Sequence, residues 1–301
     1  MVELRNLGDW TGPRIAQQCE AEYARYRAAK TESYRAYFAA NPHLKADDHA
    51  YKAADLAAAL PEEWAEVATL LPESERHRHY LSGNSSQILG LALFGVAGRL
   101  DPSHDWLWNA LAPIPPRESV PTAQFEKRLD PETLDEQPRQ TSIDYFVEDR
   151  PSLICVECKW TEAGMGTCGC GLDAAAGGDC SDRVLSRTAY WETARDVFRL
   201  PDRQEGKPCP LSFTYQAVRN VAAACALARP GQEPVFALIY DAENPYFAGI
   251  GDWPGWPATL GATLDDSPVR FRSVSWQELL PLLPLDASAR AWAAEKHGLN
   301  A

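Results

Sequence analysis

The stretch "TSIDYFVEDRPSLICVECKW", residues 141–160, limits the fold more than any other part of the chain. Two β-prone runs flank the polar turn "EDRPS", the pattern of a hairpin. The second run is apolar enough to be buried, yet it carries Glu157 and Lys159 two residues apart. Strand periodicity puts Cys155, Glu157 and Lys159 on one face and turns Ile154, Val156, Cys158 and Trp160 into a core. On the first run, Asp144 lies opposite in face to Ile143 and Tyr145. With both acids near the same end of the hairpin, Asp144 and Glu157 converge. Two carboxylates on neighbouring strands suit one or two Mg²⁺ ions, a hard cation that favours oxygen ligands. A lysine beside them suits orienting an attacking water or stabilising charge that develops on phosphate. The same residues also fit a Glu–Lys pair on a solvated face, and the pattern alone leaves both readings open.

Around this hairpin the chain alternates helical and strand-like segments. Residues 13–80 read as helices: "RIAQQCEAEYARYRAAKTESYRAYFAA", "HAYKAADLAAAL" and "PEEWAEVATLL", the last with Pro at its start. An apolar helix follows, with Asn84 or Ser85 as N-cap and with Gly90 and Gly95 allowing close approach to a sheet. "TAQFEKRL" adds a strand before the hairpin. Helices over 183–199 and 212–228 and the strands "EPVFALIYD" and "PVRFRSVSW" come after it. Two helical stretches end the chain. This order predicts an α/β fold, a central mixed sheet flanked by helices, with a helical N-terminal region over 1–82 and the main domain over 83–301.

Composition excludes several classes. At 301 residues, 45% hydrophobic and with ten Trp, the chain is too apolar for disorder and long enough for one large domain or two modest ones. The start "MVELRNLGDW" reads as neither signal nor transit peptide, and the longest apolar run, "ILGLALFGVAG", is too short to span a bilayer. The expectation is a soluble, cytoplasmic protein with no membrane partner. A net charge of −13 argues against a surface coated in positive potential and leaves room for a local basic cleft. Nothing in the sequence sets an oligomeric state.

Asp-x(12)-Glu-x-Lys, set in helix–strand–strand–strand–helix–strand order, resembles the PD-(D/E)XK nuclease superfamily. The matching residues are "SID", ending at Asp144, and "VECK" at 156–159, within a span of 84–241. The resemblance implies a restriction-endonuclease-like core. In it, Asp144 and Glu157 would hold Mg²⁺ (or Mn²⁺) and Lys159 would assist hydrolysis of a phosphodiester, with DNA as the nucleic-acid partner. An RNA-processing nuclease and a catalytically inactive scaffold on the same fold are the alternatives. Members often carry Glu or Gln on the helix before the first strand, which draws in Gln87, beside Ser86. A Gln there can hold a metal-bound water, or simply bond its own helical turn. The exonuclease branch also carries Gln-x-x-x-Tyr after the core. Here Gln216 stands with Asn220 in place of Tyr, and with Arg219, on one helix face that would meet the substrate backbone.

Two features lie behind the hairpin. Cys19, Cys155, Cys158 and Cys225 read as small buried hydrophobes. Of the remaining four, Cys168, Cys170 and Cys180 lie in a Gly/Cys-rich insertion spanning 161–182, and Cys209 follows Cys180 after twenty-eight intervening residues. They suit a structural zinc site, free thiols, or an iron–sulfur cluster of the kind that some nucleases of the resembling superfamily carry. Only Cys155 shares the acidic face, and no thiol nucleophile is expected. The second feature is the basic segment "RVLSRTAYWETARDVFRLPDR". Arg183, Arg187, Arg195, Arg199 and Arg203, interleaved with Tyr190, Trp191 and Phe198, suit either a phosphate track with stacking aromatics or an amphipathic helix paired to Glu192 and Asp196. His77 and His79 are expected at an exposed helix start, without a role.

Overall fold

A computed structural model describes residues 7, 10–47, 49–116, 118–134, 140–167, 190–200 and 210–299. Five strands form one sheet in sequence order: β1 Thr122–Arg128, β2 Ser142–Glu148, β3 Ser152–Cys158, β4 Glu233–Tyr240 and β5 Arg270–Ser275. The first three make an antiparallel meander, while β4 joins β3, and β5 joins β4, in parallel. Parallel neighbours need crossovers, and helices supply them. Helices α3 (Tyr190–Asp196) and α4 (Tyr215–Leu227) lie between β3 and β4, and α5 (Trp256–Leu264) lies between β4 and β5. The result is the α/β restriction-endonuclease-like core that the sequence predicts.

Strand β3 is buried at every position because both faces of the sheet are covered. On one face Ile154, Val156, Cys158 and Trp160 pack with α1 (Gly12–Ala40), α2 (Ser86–Leu100) and α6 (Ala287–His297). On the other, Leu153 and Cys155 pack with Val218, Val221 and Leu260 of α4 and α5. Helix α1 starts at Thr11, whose side chain accepts from Arg14 N, with Pro13 in the first turn. Ser85, rather than Asn84, caps α2 by accepting from Ile88 N. Gly90 makes the expected close approach: a Cβ there would stand 3.3 Å from Cys158 Sγ of β3. Gly95 instead meets Val67, outside the sheet.

Three expectations need correction. Residues 41–85 do not form long helices: Leu56–Ala59 is a single α-turn, and Glu62–Leu70 is a 3₁₀ segment broken at Trp64. Pro42, Pro61 and Pro72 interrupt the amide ladder, and Trp64 Nε1 is drawn to Asp286 Oδ2 at 2.8 Å, so tertiary contact outweighs helix propensity. Cys225 is exposed on α4 rather than buried. Ile143 joins the core of Phe146 instead of that of Tyr145, because strand alternation breaks at Asp144.

That break positions the site. Residue pairs between β1 and β2 run from Thr122↔Glu148 to Phe125↔Tyr145 and resume at Lys127↔Ile143, skipping Glu126, whose φ is +46°. Pairing between β2 and β3 ends at Tyr145↔Val156. The next step in that register sets Asp144 against Glu157. The sheet therefore opens where three acids on three adjacent strands come level.

Candidate active site

A cavity of about 620 Å³ lies at this opening. Asp144, Glu157 and Lys159 all line it. Asp144 Oδ2 replaces a ladder acceptor and receives Cys158 N at 2.8 Å. Lys159 Nζ donates to Glu157 Oε1 at 2.5 Å and to Gln216 Oε1 at 2.9 Å. Asn220 Nδ2 donates to the other Glu157 oxygen. The end of β3 is fixed from behind: Lys159 N donates to Ile239 O at 2.7 Å, and Trp276 Nε1 donates to Lys159 O at 3.0 Å. The lysine therefore has an anchored backbone as well as a bonded head group.

Two further acids belong to the cluster. Glu162 Oε2 accepts from Trp160 N at 2.6 Å, and its other oxygen accepts from Ser86 Oγ. Glu126 is 3% exposed and accepts from Gln87 Nε2 at 2.6 Å and from Ser142 Oγ at 2.7 Å. Gln87 thus braces Glu126. Its Nε2 also meets Glu75 O at 2.9 Å, and its Oε1 receives His77 N at 3.2 Å. His77 and His79 sit in a loop, not at a helix start, and both reach the cavity.

Three carboxylates, Glu157, Glu162 and Asp144, act on Lys159, a fourth, Glu126, acts on Asp144, and the ionisation of the groups follows from this crowding. Burial pushes Asp144 well above the usual carboxylate range, and repulsion from Glu157 and Glu126 adds to this against Lys159 and the Cys158 N–H. Glu126 is also raised by burial, which hydrogen bonds from Gln87 and Ser142 only partly offset. Burial works against the charge on Glu157 as well. There the attraction of Lys159 and Arg219, with hydrogen bonds from Lys159 and Asn220, wins and holds the carboxyl below its ordinary value. Burial disfavours the Lys159 ammonium, yet Glu157, Glu162 and Asp144 keep it above its ordinary range and charged. The thiols take no part, since burial pushes both Cys155 and Cys158 upward.

The helix residues expected to meet substrate divide. Gln216 is on the cavity wall, held to Lys159 and, through its backbone N–H, to Met165 O at 2.9 Å. Asn220 is fully buried and orients Glu157. Arg219 Nη2 donates to Ser142 O at 3.3 Å, beside the Tyr215 ring. In the basic segment, Arg195 and Arg199 are exposed, but Phe198 is a core residue and offers no stacking face. Arg183, Arg187 and Arg203 lie outside the described residues, as do Cys168, Cys170, Cys180 and Cys209. Among the described residues, no three His, Cys, Asp or Glu side chains stand ready to hold a metal by themselves, and no helix is long and apolar enough to cross a membrane.

Sequence reading misses Glu126 and Glu162. In "TAQFEKR", Gln124, Glu126 and Arg128 alternate like a solvated edge-strand face, and the left-handed backbone at Glu126 leaves no trace in residue type. Glu162, in "KWTEAG", stands two residues past Trp160, where a turn brings its carboxylate back to the strand end.

The mixed sheet, the helices on both faces and the acid–lysine cluster at its opening define a restriction-endonuclease-like protein. The chain belongs to the family described as restriction endonuclease associating with ARP, whose model matches residues 20–295. No curated protein and no solved structure matches it.

Proposed function

We propose that this protein is a Mg²⁺- or Mn²⁺-dependent nuclease of the PD-(D/E)XK type that hydrolyses phosphodiester bonds in DNA. The observation that carries the proposal is the convergence of Asp144, Glu157 and Lys159 on one cavity at the opening of the sheet. Membership in a restriction-endonuclease family favours DNA over RNA.

The donor set fits the cation. Mg²⁺ keeps several waters and takes one or two carboxylates plus substrate phosphate oxygens, so it does not need a closed protein cage. Asp144 and Glu157 offer hard oxygen donors from adjacent strands, and Asp144, crowded by two other carboxylates, is the group whose ionisation a cation would relieve. A cation bound there would acidify a water and polarise the scissile phosphate. The chain's own residues do the rest. An ammonium has three donors, and Lys159 spends two on Glu157 and Gln216. The third is available for the attacking water or for the charge growing on the phosphoryl oxygens. Asn220 fixes the Glu157 carboxylate, and Ser142 and Gln87 fix Glu126 behind the site.

The test uses the full chain with Mg²⁺ or Mn²⁺ on supercoiled, linear duplex and single-stranded DNA, with RNA as the comparison. DNA cleavage that is lost in Asp144→Asn and Lys159→Ala is the expected result. No cleavage of any substrate, with Lys159→Ala indistinguishable from wild type, overturns the proposal and leaves a non-catalytic scaffold.

A further inference from the structure

We propose that the cavity extends from the acid–lysine cluster into a base-binding subsite, where an unpaired nucleotide beside the scissile phosphate lays its base on the half-buried ring of Phe213, next to the indole N–H of Trp256. The inference rests on the nuclease reading and names its substrate class: nucleic acid that is single-stranded, or opened, at the point of cleavage.

The acids are only part of the cavity lining. The lining also includes the apolar side chains of Ile15, Met165, Phe213, Tyr246 and Trp256. A phosphate with its waters has no use for such a wall, whereas about 620 Å³ is within the range that encloses a small organic ligand. Phe213 is only half-buried, and its ring centroid lies 6.1 Å from that of Trp256. Phe213 offers the ring face, Trp256 packs against it from the core, and stacking on an aromatic face tolerates any base.

A second observation points to a ligand with hydrogen-bond acceptors. Trp256 is 1% exposed, and its Nε1–H has no partner among the described residues. A buried indole usually finds an acceptor, and leaving the donor orphaned is costly. The nitrogen lies beside Gly164, another wall residue, where a Cβ would come within 3.1 Å of it. Gly164 has φ of +144°, a backbone that L residues rarely adopt, so the loop keeps this approach free of a side chain. Nucleobases carry the ring-nitrogen and carbonyl acceptors that such a donor lacks.

The wall is tied to the chemistry. Phe213 precedes Gln216 by three residues, and Gln216 holds Lys159. Gly12, Ile15 and Ala16, at the start of the 29-residue helix α1, also line the cavity, so the helix's positive end faces the space a flanking phosphate would enter. A base stacked inside a duplex cannot reach this surface. It must be single-stranded or turned out of the stack.

The test measures affinity by fluorescence anisotropy, with Ca²⁺ in place of Mg²⁺. It compares three labelled probes of equal length: oligothymidine, a fully abasic strand and a perfect duplex. Wild type is expected to bind oligothymidine about 5- to 150-fold more tightly than the abasic strand, the span that one stacked base supplies. Phe213→Ala should erase that difference and leave duplex affinity unchanged. Trp256→Phe, which keeps a ring and loses the N–H, should weaken oligothymidine alone. Equal wild-type binding of the oligothymidine and abasic strands overturns the subsite. So does a folded Phe213→Ala that keeps the full difference; if that variant does not fold, the wild-type comparison and Trp256→Phe decide. Cleavage is read separately: a protein that cuts duplex DNA with no dependence on Phe213 keeps the nuclease reading and loses this one, and a protein that cuts nothing is still judged by the binding series.

Discussion

Replacing Lys159 by Met tests the electrostatic reading of the site through stability alone, without any substrate. Glu157 is fully buried and Lys159 supplies its ion pair. Removing one partner of a buried pair typically costs about 3–5 kcal/mol, because the remaining charge is left uncompensated. With unfolding entropy of about 2.1 cal/mol/K per residue, a chain of this length loses about 5–8 °C in melting temperature. The pH dependence gives the sign. In wild type the Glu157 carboxyl lies below its ordinary value, so its contribution is present above the unfolded carboxylate range and fades as pH falls through the folded value. In Lys159→Met, burial without the lysine raises the same carboxyl, and the penalty shrinks as the group takes up a proton on acidification. Thermal melts in metal-free buffer should therefore show a larger deficit at pH 8 than at pH 5. The double variant Lys159→Met/Glu157→Gln should recover most of the loss. An equal deficit at both pH values, or simple additivity in the double variant, would refute the reasoning.

Three other perturbations have defined outcomes. Asp144 has a raised carboxyl, so its ionised form costs stability above its unfolded range and the cost disappears as pH falls. Asp144→Asn should raise the metal-free melting temperature at pH 8 by about 1–3 °C while abolishing cleavage, and Mg²⁺ should then raise the melting temperature of wild type but not of the variant. Gly166 has φ of +68°, and a Cβ there would run into the Gln216 side chain that holds Lys159. Gly166→Ala should lower cleavage roughly tenfold in steady-state assays, the worth of one lost hydrogen bond of about 1.4 kcal/mol. Lys296 is buried over Trp292 with its Nζ on Ala59 O at 2.6 Å, and burial pushes its ammonium down to about 7. The native state then gives up this proton more readily than the unfolded chain, so wild-type stability should rise between pH 7 and pH 9 by an amount on the order of 1 kcal/mol, and Lys296→Met should flatten that slope in urea titrations.

The parts of the site that were legible in the sequence are those fixed by local periodicity. Alternation along β3 places Glu157 and Lys159 on the face away from Ile154 and Val156, and the short turn after β2 brings Asp144 level with Glu157. Helical spacing likewise gathers Gln216 and Asn220 on one side of α4. What escaped depends on contacts distant in sequence. Gln87 reaches Glu126 across 39 residues, and Asn220 reaches Glu157 across 63. Pairing of that kind leaves no trace in a window of ten or fifteen residues. Residues 41–85 escaped for a related reason: their helix-forming composition is overridden by prolines and by contacts such as Trp64 to Asp286.

The acidity of the chain and its assignment to nucleic acid are reconciled at the cavity itself. A net charge of −13 argues against broad attraction to phosphate as the source of affinity, and the three carboxylates facing Lys159, those of Glu157, Glu162 and Asp144, add negative charge at the reacting end. On the proposed function, such a site would draw affinity from contacts that do not depend on net charge. The cavity lining offers them in the Phe213 ring and an unpartnered indole N–H, and His77 and His79 also line it. The unrelieved repulsion at Asp144 then acts as selectivity rather than as a defect. On the proposed function, the acid end would accept a phosphate only together with a cation that neutralises it, so substrate and metal would favour each other's entry. The φ of +46° at Glu126 fits the same arrangement. A strained residue at the sheet opening persists where the surroundings hold it, and Gln87 and Ser142 hold this one in place to add the third carboxylate.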